Sequence, residues 1–169
     1  MRKQIGIVLL GLLCVVIGYA TLQGAESGPK ATPVITQSFA SEEVRLGETW
    51  KIYLNASDPN GEMTKIYAIV EQPGQVNPVS ITKISKENAK ELSGYIFLST
   101  APPATPLDGT SLNLTIQIQD RSGNFSQPAV FPLTIKNYAT QEAPPQGVFK
   151  EQDLGPVMVT VMSLIGAPK

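Results

Sequence analysis

Residues 111–119 read Ser111-Leu-Asn-Leu-Thr-Ile-Gln-Ile-Gln119. Leu112, Leu114, Ile116 and Ile118 alternate with Asn113, Thr115, Gln117 and Gln119, the period-2 pattern of a strand with one buried and one wet face. Residues 48–57 repeat it: Trp50, Ile52, Leu54 and Ala56 alternate against Lys51, Tyr53 and Asn55. Trp50 shares the parity of Ile52 and Leu54 and so belongs to a core. A third such run carries Ala129, Phe131, Leu133 and Ile135, with Pro132 on the outward parity, where an edge or a bulge tolerates its missing N–H.

Further strands follow on either side. Residues 95–99 are apolar on both parities, which suggests cover on both faces. Residues 64–71 leave two readings open, because Ile66, Ala68 and Val70 share one parity while Tyr67 and Ile69 share the other. Residues 78–85 form a weaker strand, and 86–92 have the composition for one or two helical turns before Gly94. Residues 101–109 hold three prolines and are expected to be irregular. No segment between 34 and 137 sustains a helical period for three turns, which points to an all-β sandwich of about seven strands. After Pro144 and Pro145 the apolar stretch 157–164 is expected as an extra C-terminal strand that needs a partner. It is too short for the roughly 17 residues of a membrane span.

At the other end, Arg2 and Lys3 precede an uncharged run from Ile5 to Ile17, and Gly18-Tyr19-Ala20 supplies small residues for cleavage. This is the three-part pattern of a signal peptide over residues 1–20. Retention as an anchor through residues 5–22 is the less favoured reading, since that run only reaches the lower length of a span. Residues 21–33 are small, polar and turn-forming, a flexible lead to the domain. The expected organisation is therefore 1–20 export segment, 21–33 lead, 34–137 sandwich, and 138–169 Pro-containing link with its strand. The expected location is outside the cytoplasm, periplasmic or extracellular, with membrane contact only through an uncleaved N-terminal segment.

Composition narrows function. The 169 residues include no histidine, and the single cysteine, Cys14, lies in the export segment, so histidine triads and His/Cys zinc sites are excluded. The counts of 13 basic and 14 acidic residues become 11 and 14 without Arg2 and Lys3, a charge of about −3, and no basic patch argues for nucleic acid. There is no Gly-x-Ser-x-Gly nucleophile motif, and no two carboxylates are singled out for catalysis.

The stretch Leu114-Thr-Ile-Gln-Ile-Gln-Asp120-Arg-Ser-Gly123-Asn124-Phe-Ser126 resembles the final hairpin of bacterial Ig-like domains. Leu46-Gly47-Glu-Thr-Trp-Lys-Ile-Tyr-Leu-Asn-Ala56-Ser-Asp58-Pro-Asn60-Gly61 is similar to the glycine turn, strand and Asp/Asn/Gly loop of cadherin-like and PKD-like modules. The resemblance spans about residues 34–137, the length of one such sandwich. It implies an Ig-like antiparallel β-sandwich, without the tyrosine corner or cysteine pair of antibody domains.

Ig-like topology would gather Asp58, Asn60, Glu62, Asp120 and Asn124 at one pole, a partial oxygen set for calcium. The same residues are explained by a β-turn and a hairpin loop, the favoured reading, so no cofactor is expected. Two function classes remain. The preferred one is an exported, non-catalytic binding or structural module of the cell envelope, contacting a protein or glycan. Its candidate surface is Tyr67, Ile69, Thr115, Gln117 and Gln119, which exists only if Tyr67 points outward. The alternative is a carbohydrate-active or other hydrolase, which would need a cleft with two carboxyl groups about 5 to 10 Å apart.

Overall fold

The computed structural model describes residues 31–100 and 108–161. The export segment, most of the lead, the Pro-rich connection 101–107 and residues 162–169 lie outside the described residues. Nine strands lie within them: β1 Val34–Ala40, β2 Glu43–Arg45, β3 Thr49–Ser57, β4 Met63–Glu71, β5 Ser80–Lys83, β6 Glu91–Ser99, β7 Thr110–Asp120, β8 Ala129–Lys136 and β9 Asp153–Pro156. A single 3₁₀ turn, Lys86–Asn88, is the only helical element among the described residues, where one or two helical turns were expected.

The strands form two sheets, ordered β1-β3-β6-β9 and β2-β8-β7-β4-β5. The all-β, Ig-like sandwich expected from the sequence is borne out, with two refinements. Strand β2 adds three residues too short to carry a period, and two pairings, β2 with β8 and β6 with β9, are parallel. The inward parities read from the sequence are the core: Trp50, Ile52 and Leu54 on β3 face Leu114, Ile116 and Ile118 on β7, all fully buried. Pro132 is outward on β8. The N–H of Thr134, on the same side of the strand, donates to Glu42 O, just before the short β2. The missing N–H of Pro132 therefore points past the end of that segment, where the sheet has an open edge.

Register resolves the ambiguous strand. Ile66, Ala68 and Val70 of β4 stand opposite Ile118, Ile116 and Leu114 of β7, whose inward parity is unmistakable, so Tyr67 and Ile69 face outward. A shift between Met63 and Lys65 lets Met63 turn inward as well.

Two details hold the sheets together at their crossover. The chain leaves β1 for β2 at Ser41, whose carbonyl accepts the indole N–H of Trp50 at 2.7 Å. Behind it, Gly47 adopts φ 88°, a left-handed turn that suits glycine, and the buried Thr100 hydroxyl donates to Glu48 O at 2.7 Å.

The C-terminal segment departs from expectation. Residues 157–161 form no strand; the ladder lies just upstream, at β9, running parallel to β6 with Tyr95 opposite Asp153 and Phe97 opposite Pro156. Asp-Leu-Gly-Pro has poor strand propensity, but pairing at an edge needs only backbone groups. The approach is close because Gly94 has no side chain: a Cβ there would lie 2.4 Å from Gln152 O. Thr82 and Ser80 of β5 bond Pro156 O and Met158 N, so β9 bridges the sheets where a fourth strand of the first sheet would run. Val157 and Val161 then enter the core.

Truncation after Thr140 removes both valines and the bridge. Fully buried valines contribute about 1.5 kcal/mol or more each, partly offset by the entropy of ordering the segment. The expected result is a fall in melting temperature of about 5–10 °C. Gly94→Ala moves stability the same way and speeds amide exchange at residues 150–157. Unchanged melting in both variants refutes the closure.

Candidate binding face

The outer face of the five-stranded sheet is built by pairing outward parities. Tyr67 on β4 lies between Ile81 on β5 and Gln117 on β7, and Ile69 lies beside Thr115, which in turn pairs with Val130 on β8. The five residues expected as a binding surface, Tyr67, Ile69, Thr115, Gln117 and Gln119, are thus brought together and half-exposed on two adjacent strands. Tyr67 donates its hydroxyl to Gln119 Oε1 at 3.0 Å and meets the Phe125 ring edge-on at 5.1 Å between centroids. Gln117 Nε2 donates to Ser126 O. These bonds hold an aromatic pair upright on an otherwise flat sheet.

Sequence reasoning missed the apolar rim around this patch. Ile81 is 49% exposed, Val130 58% and Phe125 42%, with Val79 beside them and Val76 fully exposed on the β4–β5 loop. That loop borders an open groove of about 500 Å³ lined by Ile69, Pro73, Val76 and Asn77. The available signal was the outward parity of Ile81 and Val130, legible only once their partners are known. Most of the large apolar side chains exposed among the described residues belong to this face and its rim.

The loop pole forms as topology required: Arg121 N–H donates to Glu62 O at 2.9 Å, and Met63 pairs with Asp120. Within it the carboxylates are engaged locally. Buried Asp58 accepts from the N–H groups of Asn60 and Glu62 at 2.9 and 3.0 Å. Asp120, also buried, accepts from the backbone N–H and side-chain amide of Asn124, both at 2.8 Å. Each carboxylate therefore closes its own turn. Among the described residues no three or more acidic side chains gather as a metal-binding group.

The opposite outer face is covered by the chain itself. Residues 141–152 run over β3 and β6: Gln141 Nε2 donates to Thr49 O, Asn55 Nδ2 to Val148 O, and Lys150 N–H to Ser93 Oγ. Phe149 stacks 5.6 Å from Tyr53, which lies 5.6 Å from Tyr95. Glu151 accepts from Lys51 at 3.0 Å and from the Tyr53 hydroxyl at 2.8 Å, while Lys51 sits 4.2 Å over the Tyr95 ring. The hydrogen bonds from Lys51 and Tyr53 hold the Glu151 carboxyl below its ordinary range, and the bond to Glu151 raises the Lys51 ammonium. Burial, then the bond to Glu151, pushes the Tyr53 hydroxyl up.

No family model matches the chain, and no curated protein matches it. Among solved structures it is similar to the PKD domain of an M14-like peptidase from a Thermoplasmatales archaeon. That likeness has 13% identity and a TM-score of 0.41, covering 63% of this chain and 98% of that one. The strand order and register define the class directly: an Ig-like β-sandwich module. Among the described residues no helix is long and apolar enough to cross a membrane.

Two outcomes follow. Asp58→Ala leaves two N–H groups of a part-buried turn without their acceptor and is expected to cost about 2–6 kcal/mol in urea unfolding, at about 1–3 per stranded N–H. Glu151 has a depressed folded pKa, so its stabilisation is present above the ordinary value of 4.5 and disappears as pH falls through the folded value. Lys51 is the reverse: its contribution holds below 10.5 and is lost as pH rises through its raised value. Both side chains are well exposed, so Glu151→Gln is expected to cost at most about 1 kcal/mol at neutral pH. The difference from the parent chain should shrink as pH falls below 4.5 and vanish once pH lies below the depressed folded value. A gap that persists in acid would refute the ion pair.

Proposed function

We propose that the chain is an exported, non-catalytic Ig-like module of the cell envelope that contacts a protein or glycan through the outer face of its five-stranded sheet. The observation that carries this is asymmetry between the two outer faces. One is overlaid by residues 141–152, whereas the other carries the Tyr67–Phe125 pair and exposed Ile81 and Val130. A soluble domain rarely leaves a contiguous apolar patch uncovered without a partner for it. Aromatic and aliphatic anchors ringed by Gln and Thr have the composition of a docking surface.

Export is supported by the N-terminal pattern of Arg2 and Lys3, an uncharged run and a small-residue cleavage site. The non-catalytic part is supported by Asp58 and Asp120, the two buried carboxylates, each being committed to its own turn.

Capture from the envelope fraction tests the reading. The parent chain should retain partners that the Ile81→Lys/Val130→Lys variant loses by tenfold or more, while a Lys150→Ala control on the covered face retains them. Equal retention by all three chains rejects the assignment of this face.

A further inference from the structure

The charges on this face run in a fixed order. Along β4 the outward positions are Lys65, Tyr67, Ile69 and Glu71. Lys65 pairs with Lys83 on β5 and with Gln119 on β7, and Glu71 pairs with Asn113. Across β4 and β5 one end of the face is therefore basic, with Lys65 and Lys83, and the other carries Glu71, with the apolar Tyr67, Ile69, Ile81 and Val130 between them; past the level of Glu71, on β8 and β2, outward Lys136 is paired with Glu43 beside Arg45. A surface patterned in this way is complementary to itself when turned end over end.

We infer that the outer face of the five-stranded sheet binds a second copy of this chain, the two sheets packing face to face about a twofold axis that lies between them, perpendicular to the strands. This rests on the reading of that face as the docking surface. The axis passes near Ala68 and Ile116, which are register partners midway along β4 and β7. Rotation about it lays each β4 antiparallel over its copy. Lys65 and Lys83 of one chain then meet Glu71 of the other, twice over by symmetry, and the apolar centres meet between them. The other face-to-face twofold, with its axis along the strands, would stack four lysines together and Glu71 on Glu71, which like-charge repulsion disfavours.

The footprint sets the strength. Four strands about 4.8 Å apart, over the seven residues from Lys65 to Glu71, cover roughly 15 by 20 Å. That is well under the ~800 Å² per partner of a standard stable interface, so the dimer is weak and concentration-dependent.

Cross-linking the full chain tests the geometry. In a Cys14→Ser background no other thiol exists, since the chain has one cysteine. Asn113→Cys and Gln119→Cys lie on outward positions at opposite ends of β7, about 20 Å apart within one chain, beyond a bis-maleimide of ~10 Å reach. Between copies the inferred axis brings 113 over 119. The double variant should yield at least fivefold more covalent dimer than either single variant. Adding Ile81→Lys or Glu71→Lys should cut that yield at least fivefold, with the melting temperature unchanged as the folding control. Absence of dimer overturns the inference, as does equal yield from either single variant, or a yield indifferent to Ile81→Lys. If dimer is absent while envelope capture still depends on Ile81 and Val130, self-pairing fails and the docking face stands. If capture is also indifferent to Ile81 and Val130, the face itself is rejected.

Discussion

The indole N–H of Trp50 holds the chain where it passes from one sheet to the other. Its 2.7 Å bond to Ser41 O lies in a fully buried setting, where an unmade bond is most costly. It fixes the height at which β1 ends and β2 begins. From that point β2 must run alongside β8, and β3 must carry Ile52 and Leu54 into the core. The Ser41 hydroxyl extends the anchor, donating to Glu43 O and accepting from Glu142 N–H. The same corner thus directs the C-terminal segment onto the outside of β3.

That direction separates the two outer faces. Once residues 141–152 lie over β3 and β6, the aromatic side chains Tyr53 and Tyr95 are covered by their own chain, and Gly94 leaves room for the backbone to close against the β6 edge. Edge closure by β9 also removes an open strand that would otherwise invite aggregation. Among the described residues, the five-stranded sheet receives no such cover. Its outward apolar residues remain exposed, which makes the distribution of the C-terminal segment the physical origin of the asymmetry between the two outer faces.

The candidate face is partly legible in the sequence. Thr115, Gln117 and Gln119 were outward by simple alternation, and Tyr67 and Ile69 were conditional on a parity that β4 alone could not resolve. Its pairing with β7 resolved it, because Ile118, Ile116 and Leu114 have a single buried solution. Ile81, Val130 and Phe125 joined the patch only through cross-strand neighbours remote in sequence. The loop pole was legible as a location, yet the local hydrogen bonds of Asp58 and Asp120 were not, since turn closure and cation binding use the same residue types.

What the sequence determined by itself was the sandwich and the inward parity of β3, β7 and β8, because a clear alternation forces one side of a strand out of water regardless of its partner. Trp50, the β7 alternation and the turn glycines are local signals of this kind. Tertiary structure alone decided where the C-terminal segment pairs, which side of β4 is buried and which sheet face stays open. Edge pairing by Asp153–Pro156 depends on backbone hydrogen bonds and on the missing side chain of Gly94, and neither leaves a periodic trace in the residues that pair.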